Sequence, residues 1–161
     1  MHARVALLLA VAALAACSSV PLDSTAPVPR GADTAWVGNA PSTPSMAASL
    51  AGYKHDLARW IAQSSPGQVF AGRPQALLRS VVVVKYQVDA NGRLLRSTIL
   101  RSNRDQVTES TALTTLRRAA PFPRPAAHLL RHGQVEMLET WLFNDDGRFQ
   151  LRTIAEPQME Q

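Results

Sequence analysis

Residues 78–88 (LRSVVVVKYQV) are dense in β-branched side chains and run into Asp89-Ala90-Asn91-Gly92, after which residues 93–102 (RLLRSTILRS) alternate in polarity. Two strand-forming runs joined by Asn-Gly form a hairpin, because those two residues tolerate the positive φ of a tight turn. The pattern returns near the C-terminus. Residues 134–143 (QVEMLETWLF), the turn Asn144-Asp145-Asp146-Gly147 and residues 148–154 form a second hairpin.

The segments around the hairpins have helical periodicity. Met46, Leu50, Tyr53, Leu57, Trp60 and Ile61 follow the i, i+3, i+4 spacing of an amphipathic helix, with Ser45 as its N-cap and Ser65-Pro66-Gly67 as its stop. Residues 108–120 place Ala112, Leu113, Leu116 and Ala120 on one face. Glu109 in the first turn and Arg117 and Arg118 in the last complement the helix dipole. Pro121 ends this second helix, and Pro121-Phe122-Pro123-Arg124-Pro125 is extended, since each residue before a proline is pushed out of the α region. The expected fold is therefore α+β, a small antiparallel sheet with two helices in the order α-β-β-α-β-β. It occupies residues 46–156, with a tail at 157–161. The full length of 161 residues suits one modest core. Phe122 is expected to pin the segment after the helix to the sheet, and Tyr86, Trp60 and Trp141 to pack with it.

The N-terminus has a different character. A short charged start with His2 and Arg4 precedes an apolar run of 12 residues (VALLLAVAALAA), about 18 Å of helix and too short for a bilayer core of roughly 30 Å. Residues 1–16 therefore read as an export signal. Leu14-Ala15-Ala16-Cys17 resembles the bacterial lipobox, which implies a covalent lipid on Cys17, the only cysteine of the chain. Ser18 after the cysteine, by the same resemblance, favours transfer to the outer membrane. Residues 17–45, with five prolines and no sustained periodicity, read as a flexible tether that keeps the domain near its membrane.

The order of pieces in the domain resembles the C-terminal periplasmic domain of TonB and its relative TolA. The residues that carry the resemblance are Val84-Lys85-Tyr86-Gln87-Val88-Asp89-Ala90-Asn91-Gly92-Arg93, Ser102-Asn103, the helix at 109–116, and Arg117-Arg118-Ala119-Ala120-Pro121-Phe122-Pro123. It implies a periplasmic protein-binding module. TonB domains recruit the plug segment of outer-membrane transporters as an added strand. TonB and TolA carry an N-terminal transmembrane helix that meets a proton-driven motor, whereas this chain is expected to carry a cleavable signal and a lipid. Asn103 and Arg104 also stand where the family often has Ser-Gly or Gly-Asn, and Pro125-Ala126 replaces a longer proline run.

An edge strand with free N–H and C=O groups can accept an extended peptide. Either the strand at 79–88 or the hairpin at 134–154 is expected to present that edge. Between residues 73 and 131 there are 11 Lys/Arg against three acids, while residues 132–161 hold two Arg against six acids. Such asymmetry suits an acidic partner, an anionic membrane surface or head-to-tail association. The residues expected to meet a partner are Arg93, Arg96, Arg101 and Arg104, which steer it, with Thr98 and Arg148 on candidate edges. The expected function is a membrane-anchored periplasmic adaptor that engages an envelope protein, with homodimerisation possible. The alternative is a structural or self-associating lipoprotein without a TonB-type ligand.

Nucleic acid is not an expected partner outside the cytoplasm. Catalysis and cofactors, apart from the lipid, are not expected either. Glu136 and Glu139 are an odd number apart and so face opposite sides of a strand, Asp145 and Asp146 are turn residues, and no nucleophile elbow or Gly-rich phosphate loop is present. His128 and His132 are spaced for one helix face, but they are only two ligands, bracketed by Pro125 and Gly133.

Overall fold

The computed structural model describes residues 43–157. The expected signal at 1–16, Cys17, most of the tether and residues 158–161 lie outside the described residues. A four-stranded antiparallel sheet in the order β2-β1-β3-β4 carries two helices, so the expected α+β class is observed. Along the chain the elements are α1 (Leu50–Gln63), β1 (Ser80–Asp89), β2 (Leu94–Arg101), α2 (Gln106–Ala119), β3 (Gln134–Phe143) and β4 (Phe149–Leu151). Short 3₁₀ turns occupy Pro66–Gln68 and Ala127–Leu129.

Alternation of side chains decides which face of the sheet is covered. Val82, Val84, Tyr86 and Val88 of β1 and Val135, Met137, Trp141 and Phe143 of β3 are buried together with Tyr53, Leu57 and Ile61 of α1 and Ala112, Leu116 and Ala119 of α2. Both helices therefore lie on one face. Phe122 is fully buried, its ring 6.0 Å from that of Tyr86, and its N–H donates to Gly92 O at 2.7 Å, so it pins the segment after α2 as expected.

Helix starts fall where a side-chain oxygen meets the first free N–H groups. In α1 the cap is Ser49, which accepts from Gly52 N–H, four residues later than the expected Ser45. Ser45 instead donates to Asp56 Oδ2 at 2.6 Å, and Met46, outside the helix, is 93% exposed. In α2 the cap is Asp105, which accepts from the N–H groups of Val107 and Thr108. The Arg79 guanidinium hydrogen-bonds to Asp105 and holds its carboxyl below the ordinary aspartate range.

Both hairpin turns use the same three-residue geometry. Asp89 N–H donates to Arg93 O while Gly92 takes φ +81°, and Asn144 N–H donates to Arg148 O while Gly147 takes φ +80°. Only the glycine of each turn adopts positive φ; Asn91, also expected to supply a positive φ, does not. Asp89 Oδ1 accepts from both Asn91 and Arg93 N–H, which fixes the turn from inside.

The end of the expected tether is paired with the domain. Ser45 N–H donates to Arg124 O at 2.9 Å and Arg124 N–H to Thr43 O at 3.3 Å, a short parallel bridge at Pro44 and Arg124.

Candidate functional site

Sheet order settles which strands have a free side. β1 pairs with β2 on one flank and with β3 on the other, so the strand at 79–88 is interior and cannot present an edge. That expectation is corrected: a run of four valines, buried on every second residue, is what an inner strand requires.

The second hairpin does present an edge, but not on β4. The fourth strand is three residues long where seven were expected, and its outward carbonyls are taken. Phe70 N–H donates to Phe149 O, the Gln150 amide donates to Phe70 O and Gly72 O, and Ile154 and Ala155 N–H both reach Leu151 O. β4 stops because Glu139, only 1% exposed, turns its carboxylate to the strand end. Oε1 accepts Thr140 N–H at 2.8 Å and Thr153 N–H at 3.3 Å, so the chain turns away after the Arg152 N–H instead of pairing further. Oε2 of Glu139 and the hydroxyl of Tyr86 are buried without a partner among the described residues. Burial, then the nearby Glu139 carboxylate, pushes the Tyr86 phenol well above its ordinary range.

The early stop of β4 leaves half of β3 open. Arg152 N–H donates to Thr140 O and Asn144 N–H to Arg148 O, so even-numbered residues of β3 direct their backbone groups to the β4 side. Gln134 on that side exchanges two hydrogen bonds with Arg131. Between these pairings, the N–H and C=O groups of Glu136 and Leu138 have no backbone partner among the described residues. Both side chains are exposed, Leu138 at 45%. A groove of about 220 Å³ adjoins this edge at the start of β3, with Leu50, Leu129 and Val135 as apolar walls and Arg131, His132 and Glu136 as polar ones.

The other edge of the sheet, β2, has a different construction. Its register with β1 slips twice, so that Leu95-Arg96 stand against Gln87 and Leu100-Arg101 stand against Val83. Each slip is a β-bulge with one extra residue, which increases twist and interrupts the row of backbone groups. Arg96, Thr98 and Arg101 lie opposite Gln87, Lys85 and Val83 on the face away from the helices, while Arg93 and Arg104 flank the strand. All four arginines are exposed, and their guanidinium groups have no partner among the described residues.

The structure thus gathers Arg93, Arg96, Thr98, Arg101 and Arg104 along one edge and leaves Arg148 apart from them. Arg148 sits in the second turn, where its N–H and guanidinium bind Asp146 and its guanidinium lies 4.9 Å from the Phe70 ring centroid. These bonds, first that of the Arg148 N–H, hold the Asp146 carboxyl below its ordinary range. Arg104 has φ +65°, the left-handed conformation in which glycine is least strained. His128 Nε2 lies 2.9 Å from Ala48 O and His132 lies in a turn at φ +52°, so the two do not share a helix face. No group of three His, Cys, Asp or Glu suited to a metal occurs among the described residues.

The open half of β3 was missed because it depends on where β4 ends, which is set by the buried Glu139. A glutamate at a core-facing position of an otherwise alternating strand is the signal that marks it. No family model, curated protein or solved structure matches the chain. Among the described residues no helix is long and apolar enough to cross a membrane.

Proposed function

We propose that the chain is an envelope lipoprotein, anchored through a lipid on Cys17 and facing the periplasm from the outer membrane. Its domain, similar to the C-terminal domain of TonB and TolA, binds an extended segment of another envelope protein. The protein acts as an adaptor without the motor-coupled helix of energy transducers, and it performs no chemistry. The observation that carries this reading is the open edge at Glu136 and Leu138, where a guest strand has two N–H donors and two C=O acceptors to pair with. The α-β-β-α-β-β order around the sheet supports the resemblance to that family.

The basic residues of β2 lie across β1 and β3 from the open edge, about 10 Å away at the spacing of neighbouring strands. They act on encounter through the field of the domain rather than by touching the guest strand. A photo-crosslinking residue at position 136 of the full-length protein in intact cells tests the reading. Adducts with a second envelope protein are expected, and Leu138→Pro, which deletes one edge donor, abolishes them. Adducts of the protein with itself alone establish the self-associating alternative instead, and adducts indifferent to Leu138→Pro refute strand addition at this edge. Cys17→Ala is expected to abolish fatty-acid labelling; unchanged labelling refutes lipid attachment at Cys17.

A further inference from the structure

An edge strand needs guarding against unwanted pairing, and bulges and charges are the usual means. The two bulges and four arginines of β2 meet that need. The guard does not explain the leucines. Leu95 is 51% and Leu100 54% exposed, each immediately before an arginine and each at a bulge, so both members of each Leu-Arg doublet reach solvent. Without the slips, strict alternation would send one member of each doublet to the helix-covered face.

We infer that the β2 edge is a docking surface for an anionic lipid bilayer, separate from the strand-binding edge of β3. The two doublets are five residues apart, roughly 16 Å at about 3.3 Å per residue, a span that covers several lipid headgroups. Leucine enters the boundary between headgroups and acyl chains while arginine keeps its guanidinium among the phosphates above its apolar stem. Arg93 and Arg104 extend the cationic strip at either end. The nearby acids are occupied elsewhere: Asp105 binds Arg79, Glu109 binds Ser102, and Asp89 closes the turn. The charge of the strip is thus free for an external anion.

Two features favour a bilayer over an acidic strand. The bulges break the regular row of N–H and C=O groups that a guest strand would require. The pairing of exposed leucine with arginine matches an interface that offers phosphate and hydrocarbon together.

Flotation of the full chain with vesicles tests this, with phosphatidylcholine vesicles containing phosphatidylglycerol compared against phosphatidylcholine alone. A lipid or apolar leader contributes to both, so the preference for anionic vesicles reports the domain. Each arginine near an anionic surface is worth about fivefold in partitioning. Arg96→Glu with Arg101→Glu is therefore expected to lower the anionic preference by about twentyfold or more, and the milder Arg96→Gln with Arg101→Gln by a smaller factor. Leu95→Ser with Leu100→Ser is expected to lower binding to both vesicle types, and Leu138→Pro to leave it unchanged. Unchanged urea midpoints in the β2 variants show that the loss is not one of folding. Equal binding to both vesicle types, indifference to the arginine pair, or indifference to the leucine pair overturns the proposal. The last outcome would assign the edge to a purely electrostatic partner.

Discussion

Proline at position 138 and proline at position 137 are adjacent in sequence and opposite in consequence. Met137 lies opposite Tyr86 with its backbone groups directed to β1, whereas Leu138 directs its own to the open side. Met137→Pro removes a ladder donor and strands the Tyr86 carbonyl in a buried seam. Losing the bond costs about 1 kcal/mol, and leaving the acceptor without a partner adds about 1–3 kcal/mol. Leu138→Pro removes a donor that faces solvent, so its cost is the restriction of φ alone, about 1 kcal/mol or less. The side chains differ in burial, 3% exposed for Met137 against 45% for Leu138, so each proline is compared with alanine at the same position. After that correction a gap of about 2–3 kcal/mol remains. For a domain of this size it amounts to roughly 8–15 °C in thermal midpoint. Urea and thermal unfolding followed by circular dichroism measure it. If Leu138→Pro destabilises as much as Met137→Pro, the 138 N–H belongs to an internal ladder and the edge is closed.

Arg104→Gly relieves a left-handed arginine and is expected to raise stability by about 0.5–1 kcal/mol, since the relief outweighs the greater unfolded-state entropy of glycine; an unchanged urea midpoint refutes the strain. Phe122→Ala is expected to cost about 3–5 kcal/mol and Phe122→Leu much less, because the ring is fully buried against Tyr86; a loss below about 1 kcal/mol for the alanine variant shows that the segment after α2 is not pinned there. Both tyrosines of the chain are held neutral: burial first, then Asp56 and Asp89, raises the Tyr53 hydroxyl, which donates to Pro123 O at 2.7 Å, and burial with Glu139 raises Tyr86. Their contribution to stability is complete below the unfolded value near about pH 10 and is lost as pH rises through the higher folded values. Ultraviolet titration is therefore expected to show no phenolate until the chain unfolds in alkali, and a free titration near pH 10 with the fold intact contradicts the burial.

Local chemistry made the middle of each element readable and long-range contacts decided its ends. The alternation of residues 134–143 placed β3 with its observed bounds, and Asp89 with Gly92 marked the first turn. The start of α1 was misplaced because Ser45 and Ser49 are equally good caps in isolation. Asp56, eleven residues on, draws Ser45 away. The buried Thr108 and Thr115 were not placed in the core, since their polarity is absorbed by contacts no local pattern reveals. Thr108 donates to Ser80 Oγ and to Asp105 O, and Thr115 receives the Trp141 indole N–H. For the candidate site, the basic residues of β2 were visible as composition, but their doublets at bulges were not. A bulge is a relation between two strands. The open half of β3 was hidden for the same reason, since it exists only where the carboxylate of Glu139 halts its neighbour.

The order β2-β1-β3-β4 has a consequence for how the chain reaches its fold. Each hairpin closes over a three-residue loop, whereas the central seam joins residues 45 apart at Asp89 and Gln134 and 63 apart at Ser80 and Phe143. Closing that seam carries the larger loop entropy, so the hairpins form as local units and meet late. Until they meet, the Val81–Val84 run shows a β-prone, uncharged flank with no partner, and that interval is when the chain is most exposed to aggregation. The speed with which residues 134–143 arrive to cover β1 therefore sets the yield of folded protein.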